Sequence, residues 1–334
     1  MRKQLEQQHN KQLTLMESLN TFVSLLVNDL ALVGRHGTAH SYRSSIKRLV
    51  RFTGNSQLSF SALTPYLLKR YEQYLLSEGC KRNTVSLYLR MLRSICNQAV
   101  RRGIAQIPPD LFDEVFTGAD SSEKRAVSLS VIRRLHNADL STHPDLEVSR
   151  DLFLLSFYLR GIPFVDLIRL RKSDISRGVL HYRRSKTGHL LTVAIEPCAK
   201  AIFKKYISRK KHSPYLFPVI TREGNEGYRQ YQSALRRYNH HLERLSSLLR
   251  LKVRLTSYVA RHSWATAAYR QGIPVSVISE SLGHASEKVT YTYLASFDNR
   301  TLNRANRKVI ALVTQNSLSY NRLFGEDKLR RYST

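Results

Sequence analysis

Residues 256–293 read TSYVARHSWATAAYRQGIPVSVISESLGHASEKVTYTY, and this stretch guides the interpretation of the whole chain. It brings together Arg261, His262, His284, Tyr291 and Tyr293. A guanidinium offers a planar fork of donors to two phosphate oxygens, and an imidazole can donate to a third oxygen or move a proton. A tyrosine hydroxyl can attack phosphorus. The stretch therefore predicts a site that binds and attacks a phosphate ester.

The chain as a whole is strongly basic. Its 334 residues include 54 Lys and Arg against 25 Asp and Glu, which gives a formal net charge of +29 and a pI of about 10.4. The basic excess is present both before and after residue 110, so both halves are expected to touch a polyanion. A basic surface that only keeps the protein in solution is the alternative.

Cysteine usage and hydropathy exclude several classes of protein. Cys80, Cys96 and Cys198 form neither a CxxC pair nor a metal-binding spacing, and they predict reduced thiols in the cytoplasm. Residues 1–12 lack the apolar core of a signal peptide, and no apolar run approaches ~18 residues. Export and membrane insertion are therefore not expected. Metal-binding patterns such as HExxH are also missing, so no metal or other cofactor is expected.

Four amphipathic helical patterns follow one another between residues 13 and 106. Thr64 before Pro65 predicts a capped helix start, and Gly79 predicts the end of that helix. Four helices with short connections predict a small bundle. The outer basic residues of this bundle predict a nucleic-acid-binding face, and a solvated helix surface is the alternative. These residues are Arg43, Lys47, Lys81, Arg82, Arg90 and Arg93.

A linker over residues 107–127 is predicted from Pro108-Pro109 and the segment GADSS at 118–122. The second domain, residues 128–313, is mainly helical, with an apolar helical pattern over residues 150–160. Residues 178–195, GVLHYRRSKTGHLLTVAI, predict an antiparallel hairpin because two β-rich runs flank Lys186-Thr187-Gly188. Lys186 is expected near its tip. Residues 1–12 and 314–334 are predicted to be tails.

The motifs in the opening stretch resemble the C-terminal signature of the tyrosine recombinases, the phage integrase family. The residues that carry the resemblance are ARHSWAT at 260–266, LGH at 282–284 and a tyrosine nine residues after that histidine. The variant is most similar to integrases of Bacteroides mobile elements, and the likeness covers about Leu13 to Val313. It implies a mainly α fold with an N-terminal four-helix core-binding (SAM-like) bundle. An α+β catalytic domain with a small antiparallel sheet would follow.

The resemblance implies a site-specific recombinase that cleaves and rejoins double-stranded DNA through a covalent 3′-phosphotyrosyl link. That link conserves the bond energy, so resealing needs no ATP. Four protomers would act on two paired sites in integration, excision or inversion, in some systems with an accessory DNA-bending factor. The family often exchanges a C-terminal element between protomers, which predicts such a role for the tail after Val313, with an unstructured tail as the alternative. Two rival readings are a non-catalytic DNA-binding regulator of the same fold and a topoisomerase-like enzyme that needs no specific site.

The same resemblance assigns four site residues. Tyr293 is the nucleophile, selected over Tyr291 by its spacing from His284. Arg261 binds the scissile phosphate, and His284 hydrogen-bonds to it. Lys186, in the segment SKTG, protonates the leaving 5′ oxygen as general acid.

Two positions depart from the family pattern. The histidine expected three residues before the motif arginine is Tyr258, whose hydroxyl can donate to phosphate but is a poor base at neutral pH. The family's Gly-Leu-Arg-x-x-Glu segment is matched by residues 161–166, where Pro163 holds the arginine position and Asp166 the acidic one. We predict that Arg160, one helical turn earlier, takes over for the missing arginine. Pairing with Asp166 or exposure to solvent is the alternative for Arg160, and Arg169 and Arg171 are the next candidates.

Overall fold

A computed structural model describes residues 18–120, 125–207, 213–217, 219–294, 303 and 306–311. The chain divides into two compact units. The first contains the chain up to residue 123 together with Ile168–Lys172 and Tyr206–Tyr238, and the second contains the rest. The sequence predicted one boundary, in the linker at 107–127, whereas two segments of the predicted second domain cluster with the first unit. The predicted tails, 1–12 and 314–334, lie outside the described residues.

Four helices form the core of the first unit, as predicted. Their apolar side chains recur at three- and four-residue intervals and face inward, with Phe22, Leu49, Tyr71, Leu89 and Ile95 almost fully buried. The helices are α1 (Leu19–Leu32), α2 (His36–Thr53), α3 (Pro65–Ser77) and α4 (Arg82–Arg101).

A hydrogen bond fixes where α3 begins, and apolar packing shows where the bundle ends. The Thr64 hydroxyl accepts a hydrogen bond from the Leu67 amide at 3.1 Å, which confirms the predicted cap. The first part of the predicted linker belongs to the bundle, because Leu111, Phe112 and Val115 pack into its core. Their burial continues the apolar core beyond α4.

The basic residues predicted on the bundle surface divide into two groups. Arg93 is half-buried, donates to the Phe112 carbonyl at 3.1 Å and stacks over the Phe112 ring. Its side chain therefore supports packing, and the prediction that it lies on the outer surface is wrong. Arg82 is exposed but pairs with Asp120 at 3.0 Å. The remaining four are exposed, which both the nucleic-acid-binding face and the solvated helix surface require: Arg43, Lys47, Lys81 and Arg90.

From residue 125 onward the described chain is mainly helical with one small sheet. Within the described ranges, none of the helices combines the length and apolar character needed to cross a membrane. The elements are α5 (Leu129–Asn137), α6 (Pro144–Tyr158), α7 (Phe164–Leu167), β1 (Ile175–Ser176), β2 (Val179–Arg183), β3 (Leu190–Ala194), α8 (Pro197–Tyr206), α9 (Gly224–Leu248), α10 (Val259–Arg270), α11 (Val275–Leu282) and α12 (Glu287–Tyr291).

The sheet is antiparallel in the order β1-β2-β3 and contains the predicted hairpin. In the β2–β3 register Val179 lies opposite Ala194, and Arg183 lies opposite Leu190. The turn closes through two backbone bonds between the segments around Arg184 and Gly188. Lys186 is exposed in this turn, at the tip of the hairpin as expected.

Helix α6 ends at Tyr158, before Arg160. The backbone is left-handed at Arg160 (φ 57°) and again at Gly161 (φ 71°), and the next helix begins only at Phe164. The predicted helical relationship between Arg160 and Pro163 is therefore wrong. Pro163 has no amide hydrogen, so an α-helix through it would lose a hydrogen bond, and the glycine lets the chain reverse its course.

Candidate active site

Arg261 is the buried centre of the site. It lies in the first turn of α10 and is only 1% exposed. Its Nη1 donates to the Gly161 carbonyl at 2.8 Å, and its Nη2 donates to the Leu282 carbonyl at 2.6 Å and to His284 Nε2 at 2.9 Å. All three acceptors are neutral, and among the described residues no carboxylate pairs with it. Burial, and then the charge of Arg184, lowers the pKa of Arg261.

His284 follows the end of α11, where Gly283 takes a left-handed conformation (φ 64°). Its Nε2 accepts from Arg261, and its Nδ1 lies 2.8 Å from the Thr290 hydroxyl. Burial, and then the charge of Arg261, lowers the pKa of His284 to about 3. The ring is therefore neutral at physiological pH.

Tyr293 lies two residues beyond α12 and is held against the same cluster. Its ring stacks on His262 with centroids 4.5 Å apart and packs against His284 at 4.9 Å. The guanidinium carbon of Arg261 lies 5.6 Å from the ring centroid. Tyr291 is 55% exposed. Tyr293 is thus packed against Arg261, His284 and His262.

A buried ion pair between Asp166 and Arg184 adds a second guanidinium to the site. Arg184 Nη1 donates to Asp166 Oδ2 at 2.6 Å, and the Ser185 amide donates to Oδ1 at 3.0 Å. Arg184 also packs on the backbone before His284, because a β-carbon added to Gly283 would lie 3.0 Å from the Arg184 Cγ. Its charge contributes to the lowered pKa values of Arg261 and His284.

Arg184 was not predicted, although the sequence holds a signal for it. Side chains alternate along a strand, and Leu180 and Tyr182 of β2 are buried. The same alternation carried into the turn places Arg184 on the buried face and Arg183 on the exposed one. An arginine on an apolar face next to a predicted catalytic lysine needs a buried acid, and Asp166 provides it.

Three other residues predicted for the site are less buried than Arg261: Arg160, Tyr258 and Lys186. Arg160 is half-buried, and its Nη1 donates to the Thr192 carbonyl of β3 at 3.4 Å. Tyr258 immediately precedes α10 and is 49% exposed, and partial burial raises the pKa of its hydroxyl, which keeps it a donor. Lys186 is on the exposed hairpin tip, whose Thr187 hydroxyl donates to the Gly283 carbonyl at 3.3 Å.

The described residues contain no cluster with the makings of a metal site. Within them, no three His, Cys, Asp or Glu side chains gather closely enough to hold an ion.

Two stretches of the chain match known families. Residues 18–113 match the Phage integrase SAM-like domain, and residues 129–300 match the Phage integrase family. A SAM-like bundle joined to a domain with a buried arginine and a neighbouring tyrosine defines a DNA strand-transfer enzyme. The chain belongs to the phage integrase family, the tyrosine recombinases. The predicted fold class and the predicted site-specific recombinase activity are thereby confirmed.

Several relatives and solved structures are similar to the chain. Tyrosine recombinase XerC of Thermodesulfovibrio yellowstonii is 22% identical over 289 residues, which cover 83% of this chain and 92% of that protein. XerA of Pyrococcus furiosus is 29% identical over 155 residues, 45% of this chain and only 51% of XerA. A lambda integrase dimer bound to a COC′ core site aligns with a TM-score of 0.61 at 18% identity, covering 84% of this chain and 98% of that one. The Tn1549 transposon integrase, in complex with a circular intermediate DNA, aligns with a TM-score of 0.57 at 13% identity over 88% and 99%. These structural likenesses establish a common fold.

Proposed function

We propose that the chain breaks and rejoins duplex DNA by attack of the Tyr293 hydroxyl on a scissile phosphate bound by Arg261. The observation that carries this proposal is the environment of Arg261. It is a buried cation whose hydrogen-bond acceptors are all neutral, and it lies beside the Tyr293 ring. A buried charge without a counter-ion is costly, so this arrangement favours an anionic ligand.

The second guanidinium strengthens the case for an anion. Arg184 and Arg261 are both buried in one site, and Asp166 is the carboxylate that pairs with Arg184. The two arginines carry two positive charges and Asp166 carries one negative charge, so the group has a net charge of about +1. The Nε atoms of both arginines are also buried without a hydrogen-bond partner among the described residues. Phosphate oxygens would supply both the missing charge and the missing acceptors.

In the proposed reaction the Tyr293 oxygen forms a bond to phosphorus while the bond to the 5′ oxygen breaks. The tyrosine proton passes to solvent, and Lys186 donates a proton to the leaving 5′ oxygen. The product is a 3′-phosphotyrosyl link and a free 5′ hydroxyl. Attack by the 5′ hydroxyl of a second strand reverses these steps and expels Tyr293.

The surrounding residues stabilise the charge on the phosphate as it develops. Tyr258 and His284 would donate hydrogen bonds to phosphate oxygens, and Arg160 would add a guanidinium from the exposed side in place of the missing family arginine. Lys186 on a hairpin tip can follow the leaving oxygen because its side chain is exposed and long. No metal ion is required in this scheme, since cationic side chains do its electrostatic work.

The assembly is also a proposal. One solved relative is a lambda integrase tetramer bound to a Holliday junction, with a TM-score of 0.60. By analogy we propose that four copies of this chain act on two paired DNA sites, in some contexts with an accessory DNA-bending factor. The motif variant is most similar to integrases of Bacteroides mobile elements, so we propose that the chain acts on such an element in integration, excision or inversion.

Covalent capture tests the central proposal. A labelled duplex carrying a nick near the cleavage site traps the phosphotyrosyl product, which runs as a shifted band on a denaturing gel. Wild type and Tyr291→Phe should give this band, and Tyr293→Phe should not, although it binds the duplex normally. If Tyr293→Phe still forms the adduct and Tyr291→Phe does not, Tyr291 is the nucleophile.

The same substrate separates the rival readings. A non-catalytic regulator would give no adduct with any duplex, and a topoisomerase-like enzyme would relax supercoiled plasmid of any sequence. A site-specific recombinase forms the adduct only with its own site, so unrelated duplexes of equal length are the control.

A further inference from the structure

Thr290 connects the phosphate-binding group to the nucleophile, a role that neither the motif nor the proposed mechanism gives it. It lies on α12, between His284 and Tyr293, and is fully buried. Its hydroxyl is 2.8 Å from His284 Nδ1. Its carbonyl accepts a hydrogen bond from the Tyr293 amide at 2.9 Å. One residue therefore contacts both His284 and the backbone of the nucleophile.

The hydrogen bond from Arg261 decides which nitrogen of His284 carries the proton. A guanidinium has only N–H groups and cannot accept, so His284 Nε2 must present its lone pair to Arg261 Nη2. The proton of the neutral ring is then on Nδ1, where it is donated to the Thr290 hydroxyl oxygen. The other tautomer would set an N–H group of the ring against an N–H group of Arg261.

We infer that Thr290 is a positioning residue that holds the His284 ring by its Nδ1 and, through the ring, the orientation of Arg261. The inference rests on the proposed function for its effect on DNA cleavage. The hydrogen bond between Thr290 and the ring is a property of the protein without DNA. The Thr290 carbonyl also accepts from the Tyr293 amide. Thr290 therefore contacts both the histidine that pairs with Arg261 and the backbone of the nucleophile.

A hydroxyl suits this position because it both donates and accepts. Without DNA, the Thr290 oxygen accepts from Nδ1 while Nε2 accepts from Arg261. When Arg261 Nη2 turns to a phosphate oxygen, the ring can carry its proton on Nε2 and donate it to the phosphate. Nδ1 then accepts from the Thr290 hydroxyl. The ring stays neutral throughout, and only the position of one proton differs.

Two substitutions test the role of the hydroxyl. Thr290→Val keeps the shape and removes the hydrogen bond, and Thr290→Ser keeps the hydroxyl. Nitrogen NMR of the full-length protein labelled in its histidines reports the tautomer of His284 and the exchange of its ring proton with water in the absence of DNA, and His284→Asn identifies the signal. Wild type and Thr290→Ser should show Nδ1 protonated, with a proton that exchanges slowly. Thr290→Val should keep the proton on Nδ1, because Arg261 still requires the Nε2 lone pair, but that proton should exchange faster because its acceptor is gone.

Cleavage of the nicked duplex gives the second readout. Thr290→Val should form the covalent adduct about tenfold more slowly, the size of effect common for outer partners of functional histidines, and Thr290→Ser should stay within about threefold of wild type. Combining Thr290→Val with His284→Asn should add little to the loss from His284→Asn alone, because both changes act through one ring.

The outcomes separate the two proposals. A wild-type exchange rate of the Nδ1 proton together with a wild-type cleavage rate in Thr290→Val would overturn the positioning role. If wild type itself forms no adduct, the proposed function fails while the proton-exchange measurement still decides the role of Thr290. Thermal denaturation shows whether Thr290→Val is folded, and Thr290→Ala is the replacement if it is not.

Discussion

Gly161 and Arg261, a hundred positions apart in the chain, lie in direct backbone contact. A β-carbon built on Gly161 would sit 2.9 Å from both the Cα and the Cγ of Arg261. The Gly161 carbonyl also accepts a hydrogen bond from the Arg261 guanidinium. The turn after α6 is thus one wall of the pocket that holds the arginine, and only a residue without a side chain fits there.

Gly161→Ala is expected to reduce stability and abolish DNA cleavage together. The left-handed backbone alone costs a non-glycine residue roughly 1 kcal/mol or more, and the contact with Arg261 adds to it. Gly34→Ala is the matched control, since Gly34 has a similar φ of 73° but nothing within 4 Å of an added β-carbon. Chemical denaturation measures both variants. Equal losses of stability would show that the close approach to Arg261 carries no energy.

Arg184→Ala is expected to destabilise the fold and slow cleavage. Removing one partner of a buried ion pair leaves Asp166 charged and uncompensated, which costs about 3–5 kcal/mol. Arg183→Ala is the control, because this neighbour is exposed in the same hairpin. Denaturation and the rate of covalent capture are measured for each. If Arg184→Ala melts like wild type, the pair with Asp166 contributes nothing to folding.

Arg160→Ala tests whether Arg160 replaces the missing family arginine. Loss of a phosphate-binding guanidinium should cost on the order of 3 kcal/mol in the transition state, or ~100-fold in single-turnover cleavage, with duplex affinity nearly unchanged. Arg160→Lys should rescue poorly because the fork of donors is lost. A wild-type rate in Arg160→Ala would place that role elsewhere. Arg184, buried and close enough to lower the pKa of Arg261, would then be tested before Arg169, which lies over the Tyr231 ring, and Arg171, which pairs with Glu223.

The parts of the fold that depend on local signals could be predicted from the sequence. Apolar spacing and the Thr64 cap identify the bundle helices, and the β-rich runs around Lys186 identify the hairpin. The parts that depend on distant contacts could not. Gly161 and Pro163 indicate that the helix ends near Arg160, as it does. Nothing near Arg160 in the sequence indicates that Gly161 must approach Arg261, which is a property of the fold.

The candidate site shows the same division. The spacing of Arg261, His284 and Tyr293 in one motif predicted that they would meet, and they do. Arg184 was missed because it stands among other basic residues, and the alternation that places it on the buried face is a weak signal once the strand has ended. Its pairing with Asp166 became visible only in the fold. Burial of an arginine is decided by the acid that it meets, which is a property of the fold.

DNA binding should depend steeply on salt concentration. Exposed Lys and Arg that contact phosphates release counter-ions, and we expect a log–log slope on the order of −6 or steeper. Arg43→Ala should reduce the slope by about 1 if this exposed residue contacts a phosphate. Arg102→Ala is the control, since Arg102 already pairs with Asp29 at 3.0 Å. A slope near zero in anisotropy titrations would contradict a phosphate-binding surface.

Protonation of His284 should make the folded state lose stability in mild acid. The pKa of a histidine in an unfolded chain is about 6.5, and in the folded protein the pKa of His284 is lowered to about 3. Between these values the unfolded chain binds a proton that the folded protein does not, so unfolding becomes easier as the pH falls. Above that window both states are neutral, and the contribution of His284 to stability is fully present.

Melting temperatures of wild type and His284→Asn over the range from about pH 7 to pH 4 measure this effect. The difference between the two proteins should shift steadily in favour of His284→Asn as the pH falls, because the variant has no proton to take up at this position. His181→Asn, a histidine exposed on β2, is the control for removing one histidine elsewhere. A difference between wild type and His284→Asn that stays constant across the range would mean that His284 takes up a proton in the folded protein as readily as in the unfolded chain. Its Nε2 could then not accept from Arg261 in mild acid, and the hydrogen-bonded path from Arg261 to Thr290 would not be what keeps the ring neutral.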